Sequence, residues 1–369
     1  MDMKMDSRNS ATEEDLENFY QTVQAIDPKV IVIGGYAKTG TTLPLTLLDS
    51  HPELVVFPEE LRFFHVGCEF SDNGAADRFF KNANTQRLSM GKHDFGYSNY
   101  KEHSGTGFGK IDYSAIDFDL FESLVRYCFK RANNAREKFF SIAAAYISAS
   151  GRNVPDKFTF VCKAPHNELY PQKWVSMLGD AGKYIICTRD PVEHYFSLGN
   201  VSKLYEKKNA GVYEYINVIR RRLRLWDNFP ENQLFVLDYD SLVSSPRDTI
   251  SKVAEFIGIS FDECLLRPTK NGVEWSGNSS RGIASSTVFQ NPHVARTKLP
   301  ARDVRRIEVG LYEFMQKQGY EVGPPPSSSE MIIEKSWLGI KSLGSAIDSI
   351  PKKIKFYRRR LLRKLGLRK

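Results

Sequence analysis

The sequence has no run of about 18 uncharged apolar residues, so no segment reads as a membrane-spanning helix. Cysteine is scarce: five, at positions 68, 128, 162, 187 and 264, an odd number with no CxxC pair. That excludes a disulfide framework and speaks against a zinc cluster. None of the seven histidines falls in an HxxxH or HExxH spacing, so no metal is expected. The N-terminus, MDMKMDSRNSATEEDLENF, lacks the apolar core of a secretory signal. Internal repeats are also missing. These absences predict a soluble, cytoplasmic protein.

What is present is ordinary globular composition, 41% hydrophobic and 26% charged over 369 residues. The net charge of +8 is unevenly spread. Residues 351–369 carry ten Lys or Arg and no acid, which leaves the other 350 residues two charges negative. A nucleic-acid partner would call for a basic footprint on the folded body, and none is expected.

Four apolar, β-branched runs read as buried strands: Lys29–Ile33, Phe158–Cys162, Lys183–Thr188 and Leu234–Leu237. Helical patterns follow, clearest at 117–132, 213–228, 246–257 and 301–318. Strands alternating with helices predict an α/β fold, a P-loop-like three-layer domain with a central parallel sheet flanked by helices. The expected organisation is a mobile or loosely helical acidic extension over 1–27, one catalytic domain over 28–322, and a Pro/Ser linker over 323–330. A tail over 331–369 follows, in which Ile333, Trp337, Ile340, Leu343, Ile347 and Ile350 recur at spacings of three and four. That stripe, joined to the ten cations, predicts an amphipathic helix able to lie on an anionic membrane surface. A Gly-, Asn- and Ser-rich stretch at 66–115 is the expected place for substrate-specific insertions.

The strongest local signal is GGYAKTGTT at 34–42, directly after a buried strand. Gly35, Gly40 and Thr42 keep the spacing of a nucleotide P-loop, whose backbone N–H groups cradle phosphate. Position 41 is Thr, where an ATP-using P-loop places lysine, and the cation stands instead at Lys38. This points to a phosphate-bearing donor other than ATP with magnesium. A second signal, TRDPVEHYFSLGN at 188–200, also follows a strand. Arg189 and Ser197 lie eight residues apart, about two helical turns, and can clamp a phosphate monoester.

The two motifs together resemble the sulfotransferase family. YAKTGTT is similar to its 5′-phosphosulfate loop, here Lys38, Thr39, Gly40, Thr41 and Thr42. RDPVEHYFS is similar to its 3′-phosphate motif, with the same Arg-to-Ser spacing. The resemblance runs from about 30 to 320 and implies 3′-phosphoadenosine 5′-phosphosulfate (PAPS) as sulfuryl donor, with adenosine 3′,5′-bisphosphate as product. NFPENQLFVLDYDSLVSSPRDTISKVAEFIGI, at 228–259, resembles the carbohydrate-modifying branch and implies Tyr239 near the adenine. WSGNSSRG, at 275–282, resembles the segment that closes over the donor, implying Arg281 and Gly282 at the 3′-phosphate, although the longer Arg-Lys-Gly form is absent.

On the acceptor side, DSHPELVVFPEELRFFH (49–65) should form a βαβ unit with the first strand and helix, bringing Glu59, Glu60 and Arg62 to the carboxyl edge of the sheet. Carbohydrate sulfotransferases carry a Glu three residues before a Phe-Phe pair, and tyrosylprotein sulfotransferases a pattern similar to EELR. Both comparisons imply Glu60 as general base, with Glu59 facing away and Arg62 on the acceptor. Lys163 of VCKAPHNE resembles the family lysine that approaches the transferring group. His166 is the rival base, but Pro165 breaks the Lys-Thr/Ser-His order, so it is expected to touch the acceptor instead. His51 and His65 are expected to be structural.

The reading is therefore a PAPS-dependent sulfotransferase acting on a carbohydrate or glycolipid hydroxyl by in-line displacement, with Glu60, Lys38 and Lys163 as catalytic residues and no metal. The alternatives are a tyrosyl or small-molecule sulfotransferase, an ATP-dependent kinase, and a protein that binds membranes through its basic tail.

Overall fold

The computed structural model describes residues 11–94, 110–204, 211–275, 288, 293–333 and 336. Five parallel strands form the central sheet: β1 (Lys29–Gly35), β2 (Leu54–Glu60), β5 (Thr159–Lys163), β6 (Gly182–Thr188) and β7 (Leu234–Asp238), in the order β2-β5-β1-β6-β7. Two short antiparallel ribbons, β3 (Lys92–Asp94) with β4 (Lys110–Asp112) and β8 (Thr269–Lys270) with β9 (Val273–Glu274), lie outside it.

The strand sequences are apolar throughout because both faces of the sheet are covered. Val30, Val32, Val55, Phe57, Phe160, Tyr184 and Ile186 pack on one side with Phe19, Phe121, Phe139 and Trp174, from the helices Glu13–Ala25, Phe118–Arg131, Ala135–Ala149 and Pro171–Leu178. The alternate residues Ile31, Ile33, Leu54, Val56, Val161 and Ile185 face the other way, onto the helices Thr42–Leu48 and Pro246–Ile257. Helix, sheet, helix is the expected three-layer order.

β1 lies at the centre, and the chain leaves it toward β2 on one side and β6 and β7 on the other. Such a switch point opens a crevice at the carboxyl ends of the strands. The expected βαβ unit differs in one respect. β2 does not pair with β1, because β5 inserts between them and leaves β2 at the sheet edge. Pro58, which cannot donate to a ladder, is tolerated on that edge strand.

The first 27 residues are not simply a mobile extension. Residues 1–10 lie outside the described residues, but Glu13–Ala25 is a helix begun by a Thr12–Asp15 capping box. Its acids face solvent, while Phe19, Tyr20 and Val23, at helical spacing, are buried in the main core. The Tyr20 hydroxyl reaches the Arg131 carbonyl at 3.0 Å, and Tyr127 donates to Glu17 at 2.8 Å. Each buried side chain of this size contributes about 1.5–3 kcal/mol. Deleting residues 1–27 should therefore lower the melting temperature measurably. An unchanged melt would mean that the helix adds nothing to the fold.

The Pro/Ser stretch is also held rather than free. Arg305, on the helix Ala301–Gly310, pairs with both Glu330 oxygens at 2.7 and 2.9 Å and donates to the Pro324 carbonyl at 2.8 Å. Helix resumes at Ser328, and Met331, Ile332 and Ile333 stand exposed. The remaining stripe and the basic run lie outside the described residues, as do 95–109 of the 66–115 stretch.

Candidate active site

The phosphate loop leaves the central strand at Gly35. Thr39 folds it back by donating from both its N–H and its hydroxyl to the Tyr36 carbonyl, at 3.1 and 2.7 Å. Lys38 is held in the left-handed region, φ 74°, which is uncommon for a residue with a side chain. Thr39 and Thr41 are buried, and the helix Thr42–Leu48 starts without a side-chain cap at Thr41. Its first N–H groups are thus not taken up by such a cap, as phosphate binding at a helix start requires.

Gly40, at φ 89°, lies flat against the ring of Tyr239, where a Cβ would fall 2.1 Å from Cδ2. Tyr239 opens the helix Tyr239–Ser244 just after β7, and the Arg189 guanidinium carbon stands 5.1 Å from the centre of its ring. The loop, Tyr239 and Arg189 therefore meet at one edge of the sheet, although they come from three distant stretches. Gly40→Ala meets both an unfavourable φ and the Tyr239 ring. It should weaken binding of adenosine 3′,5′-bisphosphate by at least about tenfold, given a strain of about 1–3 kcal/mol. Calorimetry checks this, and wild-type affinity would remove Gly40 from the site.

Asp190 starts the helix Pro191–Leu204 by accepting the Val192 and Glu193 N–H groups at 2.7 and 3.3 Å. Arg189 lies 3.8 Å from the Glu193 carboxylate, and its buried Nε has no partner among the described residues. Ser197 is buried two turns into the same helix. His194 ties this helix to the loop. Its Nε2 must donate to the Ala37 carbonyl, 2.9 Å away, because a carbonyl can only accept. Burial pushes its pKa down to about 3, so the ring is neutral at physiological pH.

Glu60 and Lys163 face each other because the parallel register of β2 and β5 pairs them, after an irregularity between Val56 and Glu60. Lys163 Nζ is 3.3 Å from Glu60 Oε1 and 3.3 Å from the Thr42 hydroxyl, so a carboxylate, an ammonium and the phosphate loop share one edge. Arg62 grips the other carboxylate oxygen at 2.6 and 3.0 Å. Burial alone would raise the Glu60 pKa, but Lys163 and Arg62 outweigh it and hold the carboxyl at about 2. Lys38 is pushed below its ordinary value by burial and by Arg189, against the pull of Glu60. Glu59 points to the opposite face, where it accepts from Lys270 at 2.6 Å, Tyr113 at 2.8 Å and Arg87 at 3.2 Å.

His166 adopts φ 74° and sits between Tyr36 and His65, with ring centroids 5.4 and 6.3 Å away. Burial, with Arg222, His65 and Arg62 nearby, lowers its pKa to about 4. His65, expected to be merely structural, shares this electrostatic environment, with its own pKa lowered to about 4 by burial and by Arg62 and Arg222. His51 bonds the Ser260 carbonyl at 2.9 Å, away from the edge. Arg281 and Gly282 lie outside the described residues. Sequence reasoning missed His194, Glu168 and Arg222. Glu168 and Arg222 pair with each other from 54 residues apart, and no local pattern announces such a pair. Among the described residues no His, Cys, Asp or Glu group could hold a metal, and the five cysteines are free.

A family model described as "Sulfotransferase family" matches residues 28–263. No curated protein sequence matches the chain. Among solved structures, the sulfotransferase domain of the curacin biosynthetic pathway is 16% identical, with a TM-score of 0.51 over 81% of this chain and 100% of its own. The sulfotransferase domain of the Synechococcus PCC 7002 olefin synthase is 18% identical, with a TM-score of 0.49 over 81% of this chain and 96% of its own. Sulfotransferase STF9 of Mycobacterium avium is 12% identical, with a TM-score of 0.45 over 83% and 82%. At such identities the first of these is a likeness of fold.

Proposed function

This chain belongs to the sulfotransferase family, and we propose that it transfers the sulfuryl group of PAPS to a hydroxyl of a carbohydrate or glycolipid. The observation that carries the reading is the contact of Lys163 with both Glu60 and Thr42, which puts a base and a cation beside the phosphate loop. The residues present suit the donor. Arg189 has a buried Nε with no partner among the described residues, Lys38 is a half-buried cation on the loop, and the lack of a side chain at Gly40 lets the loop lie against Tyr239. PAPS supplies an activated sulfuryl group on a phosphate leaving group.

Glu60 is the base: it takes the proton of the acceptor hydroxyl as the O–S bond forms. Lys38 and Lys163 neutralise the charge that develops on the departing oxygen and around sulfur. Arg189 and Ser197 hold the 3′-phosphate, the Thr39–Thr42 turn holds the 5′-phosphate, and Arg62 and His166 face the acceptor. The carbohydrate branch is favoured by the resemblance of 228–259. Incubation with radiolabelled PAPS and a panel of glycans, glycolipids, tyrosyl peptides and phenols tests this reading. Labelling of the peptides or phenols alone would overturn the glycan assignment, and magnesium-dependent ATP turnover would overturn the donor.

The tail supports a peripheral place on an anionic membrane. Exposed Ile333 begins the apolar stripe, with exposed Met331 and Ile332 just before it, and ten cations end the chain. Removing residues 334–369 should abolish sedimentation with phosphatidylserine liposomes at low salt. Equal sedimentation of both forms would detach the tail from that role.

A further inference from the structure

Beneath the phosphate loop lies an ion pair that none of the roles above employs. Glu168 is 1% exposed, and its Oε2 accepts the Gly35 N–H at 2.8 Å. Its Oε1 pairs with Arg222, from the helix Val212–Trp226. Gly34 makes room for this contact, since a Cβ there would stand 3.0 Å from the Glu168 nitrogen and 3.3 Å from Oε2. The Arg222 guanidinium carbon lies 4.1 Å from the centre of the Tyr36 ring, and the His194 ring meets the same tyrosine at 5.2 Å. Gly35, Tyr36, Glu168, Arg189, His194 and Arg222 line one small chamber at the ends of β1 and β6. The pair therefore adjoins both the start of the loop and the arginine read as the 3′-phosphate ligand.

A buried carboxylate must be matched by charge and hydrogen bonds, and Glu168 finds both in Arg222 and the backbone of the loop. One oxygen fixes the peptide plane at Gly35, while the stacked guanidinium fixes the next side chain. The turn that aims the loop N–H groups is thereby set before any ligand arrives, which cuts the ordering cost of binding. We infer that Glu168 and Arg222 are positioning residues: acting through Gly35 and Tyr36, they pre-form the phosphate loop for the donor. This rests on the reading of that loop as the donor site.

The test compares the full chain with Glu168→Gln, Arg222→Lys and the double variant Glu168→Gln/Arg222→Met. In the double variant both charges go together, so no unpaired buried ion threatens the fold. Calorimetry with adenosine 3′,5′-bisphosphate is run beside hydrogen exchange of peptides covering residues 30–45 in the unliganded protein. Glu168→Gln and the double variant should bind about tenfold more weakly or worse, a loss of about 1.4 kcal/mol. Arg222→Lys, which keeps the charge without the planar stack, should fall between them and the wild type. Faster exchange should appear over 34–40 with the melting temperature nearly kept. Wild-type affinity and unchanged exchange in the folded double variant would overturn the inference. A wild type that ignores adenosine 3′,5′-bisphosphate would instead overturn the donor reading, and the exchange data would still decide whether the pair orders the loop.

Discussion

Glu60→Gln should keep the affinity for adenosine 3′,5′-bisphosphate and lose sulfuryl transfer by about a hundredfold or more, the scale of general-base loss. The amide fills the same space but cannot take a proton. Single-turnover kinetics with labelled PAPS and a responsive acceptor measure the loss, and a variant within a few-fold of wild type would dismiss Glu60 as base. The pH profile carries a second sign. Lys163 and Arg62 hold Glu60 at about 2 in the unliganded protein. It is therefore ionised throughout the neutral range, and kcat/KM should show no acid limb from Glu60 at the usual carboxylate pH of about 4.3. Because Lys163 lowers that pKa, Lys163→Met should raise it and move any acid limb upward. The same depression favours the folded state above the unfolded carboxylate pKa, and the contribution is lost as pH falls toward 2.

The second large effect belongs to Arg189. Adenosine 3′,5′-bisphosphate should bind far more tightly than adenosine 5′-phosphate, because hydrogen bonds to a charged group contribute about 1.5–3 kcal/mol. That corresponds to roughly a 10- to 150-fold preference. Arg189→Ala should erase most of the preference while lowering affinity for the monophosphate little. Equal affinities of the two nucleotides for the wild type would refute the assignment of this motif.

Much of the architecture is legible because parallel strands are apolar on both faces. Runs such as Lys29–Ile33 and Lys183–Thr188 stand out from their surroundings and err by a residue or two at the ends. The motifs are legible where chemistry fixes short spacings, as between Gly35 and Thr42 or Arg189 and Ser197. Long-range packing hides the remainder. The helix Ala135–Ala149 is buried nearly all round and so has no amphipathic stripe to betray it. The N-terminal helix was obscured by its acids, whose excess outweighed three buried residues. His194 reaches Ala37 across 157 positions, and β5 lies between β1 and β2 although it comes far later in the chain than either. Neither leaves a trace in local pattern.

The neighbouring carboxylates at 59 and 60 bear on how damaged variants of this enzyme should be interpreted. Glu60 is the base proposed above; Glu59 neutralises Lys270 in the interior, where the side chains of Glu59 and Lys270 are 6% exposed or less. Stripping one partner from such a pair costs about 3–5 kcal/mol, a large share of the 5–15 kcal/mol that holds a typical domain folded. A change at Glu59 that removes its charge would thus deplete the cell of the protein through turnover of unfolded chains, while Glu60→Gln, whose amide oxygen can still accept from the buried Lys163, would leave a folded protein without its proposed base. Two adjacent lesions with the same lost activity would call for opposite remedies, a folding chaperone or binding ligand for the first and replacement of the catalyst for the second.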